Sequence, residues 1–310
     1  MRKGILLALA LLPTLTQAQT IRLGSWNIEH LGDPGSRRGT GTNQLQKAED
    51  LARYIQAANV DVLALQEIKA DGEAPKGFPR LLRTNSILKK TFDILNRGGA
   101  KWNHVLFPRM RPADTTQWTG VAWNEAKVKP VGRVLQVRVS HSRSRQRSNK
   151  WDKNCHAIKF SAGTGKTDFV VMSVHLKANV GRSYAQHREE EIQEFVKHLP
   201  TIKKNFRKEE DLILVGDTNI QSSKERAVSL LQRAGFVNLN SRDEDTHTGR
   251  GSQPFDRFFV PGKQKEFLKS RQKTLSDYQR QQRLSFAAFR ARLSDHYIIV
   301  TELQVMADDD

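Results

Sequence analysis

The chain is short of cysteine, short of acid relative to base, and has no long apolar run. Its 310 residues include one cysteine, Cys155. That excludes an intramolecular disulfide framework and any cysteine-built zinc centre. Stability must then come from packing or from a bound metal. No stretch approaches the roughly 20 apolar residues that a membrane-spanning helix needs, so stable membrane insertion is not expected. The 10 prolines and 20 glycines form no linker, and no internal repeat of fixed period is visible. One domain is the economical reading. Acidic residues number 33 against 51 Lys and Arg, a net charge of +18. Such a surplus says nothing of fold but favours a polyanionic partner. The 37% hydrophobic content argues for a packed core rather than wholesale disorder.

The first residues read as a secretory signal. Arg2 and Lys3 precede an apolar run from Ile5 to Leu12, Pro13 breaks it, and Thr16-Gln17-Ala18 offers a cleavage site after Ala18. The expectation is a signal peptide over 1–18, a folded unit over 19–310, and a secreted or periplasmic protein.

Beyond it, short apolar runs alternate with amphipathic stretches. Strands are predicted at Ile21–Ile28, Val60–Ile68, His104–Pro108, Gly120–Trp123, Cys155–Phe160, Asp168–Leu176, Leu212–Val215, Phe255–Val260 and His296–Val305. Helices are predicted over Leu45–Ile55, Leu81–Leu95, around Ile192–Leu199, and over Ala227–Ala234. Two segments stand apart. Arg138–Lys153 is basic, polar and loop-like. Lys263–Arg292 carries nine Lys/Arg against two acids and reads as a basic insertion, partly helical or a solvated surface.

Several strands end in residues able to bind metal or move protons. Asn27 follows the first apolar run, and Glu67 ends the second. His175 closes Asp168–Leu176, and Asp217 and Asn219 follow Leu212–Val215. Asp256 sits in Pro254-Phe255-Asp256-Arg257, and Asp295 and His296 open the last strand. Taken singly, each is more often a turn residue, a cap or a packed histidine. As an ordered set beside apolar runs they are costly unless metal or hydrogen bonds satisfy them. The chemistry these types suit is phosphodiester hydrolysis. Mg²⁺ takes oxygen ligands, which Glu67 and Asp295 can supply. A water is deprotonated by a histidine oriented by a carboxylate, which fits His296 with Asp256. Asn27, Asn219 and His175 can donate to a charged phosphate.

With these pieces, Ser25-Trp26-Asn27-Ile28, Leu65-Gln66-Glu67, Ser173-Val174-His175-Leu176, Gly216-Asp217-Thr218-Asn219, Phe255-Asp256-Arg257 and Ser294-Asp295-His296-Tyr297, the chain resembles the endonuclease/exonuclease/phosphatase superfamily, in family order. The resemblance implies a DNase I-like α/β fold, a four-layer α/β/β/α sandwich of two mainly antiparallel mixed sheets flanked by helices. It implies Glu67 as principal Mg²⁺ ligand, with Asn27, Asp217 and Asp295 at the metal and Mn²⁺ or Ca²⁺ able to substitute or assist. It implies His296 as general base, or as a phosphate contact, oriented by Asp256, with Asp217 aligning the water or binding a second metal, Asn219 on the scissile phosphate and His175 as the second histidine. Two departures are visible. Lys101-Trp102-Asn103-His104 holds no acid to partner His175, and Glu29 stands where DNase I has a basic residue near DNA.

The fold does not select among substrates, and charge is the arbiter. Lys69 and Arg257 are expected to touch flanking phosphates, whereas Trp102, Trp118 and Trp151 are expected in the core. The reading is a secreted Mg²⁺-dependent nuclease acting on DNA, or on RNA, endonucleolytic and of low sequence specificity. It leaves 5′-phosphate and 3′-hydroxyl ends and needs no obligate protein partner. The alternatives are a sphingomyelinase-type phospholipid phosphodiesterase, a phosphoinositide-type phosphatase, and a non-enzymatic basic binding module.

Overall fold

Alternation along the strands sets the architecture. In β1 (Thr20–Leu31), Ile21 and Leu23 point to one face while Trp26 and Ile28 point to the other, and both faces are buried. The same split holds in β2 (Val62–Ile68), with Val62 and Ala64 on the first face and Leu63 and Leu65 on the second. A sheet buried on both faces must lie between two layers. The computed structural model describes residues 19–37, 44–108, 116–137, 155–249, 251 and 253–309. The expected signal peptide, Arg138–Lys153 and Trp151 lie outside them.

The remaining strands are β3 (Gly72–Glu73), β4 (Arg83–Thr84), β5 (Trp102–Phe107), β6 (Trp118–Asn124), β7 (Lys129–Val137), β8 (Cys155–Ser161), β9 (Asp168–His175), β10 (Leu212–Asp217), β11 (Phe236–Asn238), β12 (Asp256–Pro261), β13 (Lys273–Thr274) and β14 (Ile299–Gln304). They form an eight-stranded sheet in the order β13-β14-β1-β2-β6-β5-β4-β3 and a six-stranded sheet in the order β11-β12-β10-β9-β8-β7. Among the described residues, the β1–β2 and β9–β10 pairs run parallel, and the other pairings are antiparallel. The helices are α1 (Pro34–Arg37), α2 (Ala48–Ala58), α3 (Ser86–Arg97), α4 (Arg182–Asn205), α5 (Arg226–Arg233), α6 (Asp277–Gln281) and α7 (Phe286–Arg292).

Three apolar layers hold these elements together. Trp26, Leu63 and Leu65 pack under Tyr54 of α2, Leu88 of α3 and Phe289 of α7. Between the sheets lie Leu23, Val121, Phe160, Phe169, Ile213 and Phe258. Beneath the smaller sheet, Met172 and Leu214 meet Ile192 and Phe195 of α4 and Leu231 of α5. The result is the expected α/β/β/α sandwich. Burying one large apolar side chain contributes about 1.5–3 kcal/mol, and a disulfide about 2–4 kcal/mol. A few of these residues therefore supply what the absent disulfides would, and the lone Cys155 is buried as packing material.

Most predicted elements are present with shifted ends, and three differ. Leu81–Leu95 was expected to be one helix, but Arg83–Thr84 pair as a strand and α3 begins at Ser86. Asn85 caps it, its side chain accepting from the Ile87 and Leu88 amides. The last strand starts at Ile299, so Asp295 and His296 lie in the turn before it. Strand β7 gave no sequence signal because it is an exposed edge, with Lys129, Gly132 and Arg133 facing solvent. The segment Lys263–Arg292 is anchored by buried Phe267 and Phe289 and carries β13, α6 and α7.

Candidate active site

The inner faces of both sheets change character at one end. On β1 the face that begins with Ile21 and Leu23 continues as Ser25 and Asn27. On β9 the face of Phe169 and Val171 continues as Ser173 and His175. On β10 Ile213 and Val215 lead to Asp217, and on β12 Val260 and Phe258 lead back to Asp256. A polar seam marks the change. Ser25 Oγ donates to Gln66 Oε1 at 3.3 Å, Gln66 Nε2 to Ser173 Oγ at 3.2 Å, and Ser173 Oγ to the Leu65 carbonyl at 3.2 Å. Beyond the seam the two sheets present side chains that carry chemistry.

Glu67 would point away from this cleft if β2 kept its alternation. It does not, because the pairing of β2 with β6 shifts register between Leu65 and Ile68, and Glu67 takes φ 60°. A bulge of this kind re-aims a side chain. The β1–β2 register shifts too, between Asn27 and Leu31, where Glu29 and His30 have φ of 36° and 56°. Asn219, just after β10, has φ 52°. Left-handed backbone at residues other than glycine costs on the order of 1 kcal/mol each. Local bonds offset part of that cost: the Glu29 N–H donates to Asn27 Oδ1 and the Asn219 N–H to Asp217 Oδ1, both at 3.0 Å.

Asp217 is the hub. Asn27 Nδ2 donates to its Oδ2 at 3.0 Å, and the same oxygen lies 3.5 Å from His175 Nε2 and 3.8 Å from His296 Nε2. Glu67 spans the other side, with Oε1 3.7 Å from His175 Nε2 and Oε2 3.6 Å from His30 Nε2. His296 Nδ1 is 2.7 Å from Asp256 Oδ2, and both residues are buried. Burial alone would lower the His296 pKa. The carboxylates of Asp256, Asp217 and Asp295 outweigh it and hold the imidazole well above its ordinary value. Burial would raise Asp295, but His247, His296 and Arg290 keep its carboxyl well below the usual range. Ser294 Oγ donates to the Asn27 carbonyl at 2.6 Å and accepts the His296 N–H at 3.1 Å, which ties the last turn to β1.

The donor set fits a divalent cation. Carboxylates of Glu67, Asp217 and Asp295, with the Asn27 amide, converge from three strands and a turn, and Asp217 is nearly inaccessible. Oxygen donors held together in this way suit a hard cation. Thus Asn27, Glu67, His175, Asp217, Asp295 and His296 meet at one cleft with Asp256 behind His296, while Asn219 follows Asp217 and its Nδ2 donates to the Leu176 carbonyl at 3.2 Å. Arg257 is a correction. Instead of reaching a phosphate, its guanidinium is fully buried and donates to the carbonyls of Asn240 and Ile220 and to Asp243, 2.8 Å away. On β12 it alternates with Asp256, so it points away from the cleft and fastens the loop after β11. Lys69 is half-buried in the turn after β2, and its charge helps lower Asp33, which the Ser36 hydroxyl lowers most.

His104, in the stretch compared with the acid of DNase I, is also elsewhere. Its Nε2 accepts the Asn85 N–H at 3.0 Å, and its ring packs on Phe92. Three residues at the cleft, His30, His247 and Arg290, escaped sequence reasoning, and Glu29 was noted only as a departure. His30 follows Glu29 directly after Asn27-Ile28, and position alone could have flagged it. His247 and Arg290 had no signal: one lies in an irregular loop, the other among the many cations of Lys263–Arg292. Arg290 on α7 reaches Glu29 Oε1 through Nε at 2.7 Å and Asp295 Oδ2 at 3.3 Å.

The profile of the Endonuclease/Exonuclease/phosphatase family 2 matches residues 115–267. That span contains His175, Asp217, Asn219 and Asp256, while Asn27, Glu67, Asp295 and His296 lie outside it. No curated protein matches the chain in sequence. Among solved structures, the endonuclease/exonuclease/phosphatase from Bacteroides vulgatus is similar, with TM-score 0.62 and 14% identity over 93% of this chain and 100% of that one. The human Nocturnin catalytic domain with bound sulfate anion gives TM-score 0.59 and 18% identity over 93% and 95%. The mannosyl-6-phosphatase of Bacteroides thetaiotaomicron gives 0.58 and 15% over 91% and 99%.

Proposed function

For a chain that belongs to the endonuclease/exonuclease/phosphatase superfamily and has its DNase I-like fold, we propose a Mg²⁺-dependent nuclease that hydrolyses phosphodiester bonds of DNA, outside the cytoplasm. Members of this superfamily are hydrolases of phosphoester bonds and generally depend on divalent metal. The observation that carries the reading is the Asp256–His296 pair at 2.7 Å, with His296 Nε2 directed at Asp217 across a cleft of carboxylates.

Asp256 holds His296 through Nδ1, so Nε2 is the atom that takes the proton of an attacking water. Asp217 is placed to align that water. A divalent cation at Glu67, Asp217 and Asp295 would supply charge to polarise a phosphoryl oxygen and to lower His296 toward its neutral, basic form. His175 faces the same space as a donor toward the phosphate, and Asn219, two residues after Asp217, is the second donor in this reading. Attack breaks the P–O3′ bond and leaves a 5′-phosphate and a 3′-hydroxyl. A net charge of +18 supports a nucleic-acid backbone over a neutral substrate.

The test is a side-by-side assay. Supercoiled plasmid, RNA and sphingomyelin vesicles are each incubated with the protein, with Mg²⁺ and with chelator. Nicking that needs Mg²⁺ and weakens steeply with salt is the expected result. Lipid hydrolysis without nicking would assign the site to a phospholipid phosphodiesterase instead.

A further inference from the structure

His247, Asp295 and His296 offer ligand atoms within 4.8 Å of one another, the spacing of a three-ligand metal centre. The hydrogen bonds argue against that role for His247. Its Nδ1 accepts the Gly249 N–H at 2.8 Å, so Nδ1 carries no proton and the neutral ring bears its proton on Nε2. That nitrogen sits 3.4 Å from Asp295 Oδ2 and faces it as a donor. A ring nitrogen that carries a proton has no lone pair for a metal. The ring is fixed on both sides, edge-on to His296 with centroids 4.7 Å apart and against Phe255 at 5.5 Å.

Arg290 approaches the same oxygen, Oδ2, at 3.3 Å. A carboxylate oxygen shared by an imidazole N–H and a guanidinium is poorly placed to face a cation as well. Oδ1 is the other oxygen, 3.9 Å from His296 Nε2 and 3.4 Å from Ser294 Oγ. On this basis we infer that His247 is a positioning residue. By donating from Nε2 to Asp295 Oδ2, it turns Oδ1 toward the metal-binding space in the way that Asp256 sets His296. Outer partners of this kind fix ligand orientation, and their loss typically costs about 10–100-fold in metal affinity or activity. Arg290 does not replace His247, because its guanidinium is shared with Glu29, whose Oε1 accepts from Nε at 2.7 Å. The inference rests on the reading of Asp295 as a metal-site residue, but not on which phosphoester is cleaved.

The experiment uses the full-length protein and Mn²⁺ as probe. Mn²⁺ binding is measured by electron paramagnetic resonance and by calorimetry without substrate, for wild type, His247→Ala and His247→Gln. Thermal melts of the chelated proteins control for folding. The expected result is a Kd raised at least tenfold in His247→Ala and largely restored in His247→Gln, whose side-chain amide keeps a donor. The nuclease assay should show the loss as a higher Mg²⁺ requirement, with substrate KM little changed. An affinity within twofold of wild type in both variants would overturn the inference, as would an Ala loss that Gln does not restore. Because Mn²⁺ binding is read without substrate, an error in the substrate assignment leaves this test intact.

Discussion

Asp256 Oδ2 and His296 Nδ1 lie 2.7 Å apart inside the protein and 40 residues apart in sequence, one on the six-stranded sheet and the other in the turn that leads into the eight-stranded one. The pair joins β12 to the turn before β14, and it fixes which imidazole nitrogen faces the cleft. Replacing Asp256 by Asn should lower kcat by about 10²–10⁴-fold. It should also move the His296 imidazole resonance, followed by NMR in chelator, down from its raised position. The sign of the stability effect follows from that raised pKa. The stabilisation is complete below about pH 6.5 and is lost as pH rises through the higher folded value. A His296 titration that Asp256→Asn leaves in place would mean that Asp256 does not set its charge.

Arg257 acts as a structural cation and not as a phosphate contact. Its guanidinium is buried against Asp243, Asn240 and Ile220. Arg257→Met should cost on the order of 3 kcal/mol in denaturant unfolding, because Asp243 and two carbonyls lose their cation. The slope of log K against log salt for DNA binding should not change. A shallower slope would return Arg257 to the phosphate contacts.

Gly216 precedes Asp217 at the point where β10 meets β9. Its φ is 148°, and a Cβ there would lie 2.0 Å from the Val174 carbonyl oxygen. Gly216→Ala should therefore destabilise by about 3 kcal/mol or more and lower activity by shifting Asp217. A melting temperature equal to wild type would show that the two strands can part without cost.

His104 supplies the acid limit. Burial pulls its pKa down to about 4, with Lys89 adding to the fall. A depressed histidine is neutral when folded, so its contribution is complete above pH 6.5 and is lost as pH falls toward 4. The loss is roughly 3 kcal/mol at 1.36 kcal/mol per unit. Protonation of Nε2 also breaks the bond that seats Asn85 at the start of α3. His104→Gln should flatten the fall in melting temperature over that pH range, and an unchanged fall would place the acid-sensitive group elsewhere.

Much of the fold was legible because its strands are buried and its helices amphipathic, and both leave periodic patterns. Apolar runs from Ile21, Val62, Phe169 and Leu212 marked the central strands. Edge strand β7 carries no such pattern, since one side and much of the other meet water. The site was legible where it follows a strand end, as at Asn27, His175, Asp217 and Asp256, because one alternation carries both the core residues and the polar ones beyond them. It was not legible at Arg257, where the same alternation turns the side chain away from the cleft, nor at His247, in an irregular loop, and Arg290, one cation among many in the segment that forms α7.

The sequence by itself determined the layered α/β class, the surplus of positive charge and the supply of acids, amides and imidazoles at strand ends, since composition and period-two burial are local properties. Only the tertiary structure decided which of those groups share one cleft. Convergence depends on the bulge that re-aims Glu67, on the register of β9 with β10, and on a turn that brings His296 to Asp256. These are relations between distant segments, and no local pattern encodes them.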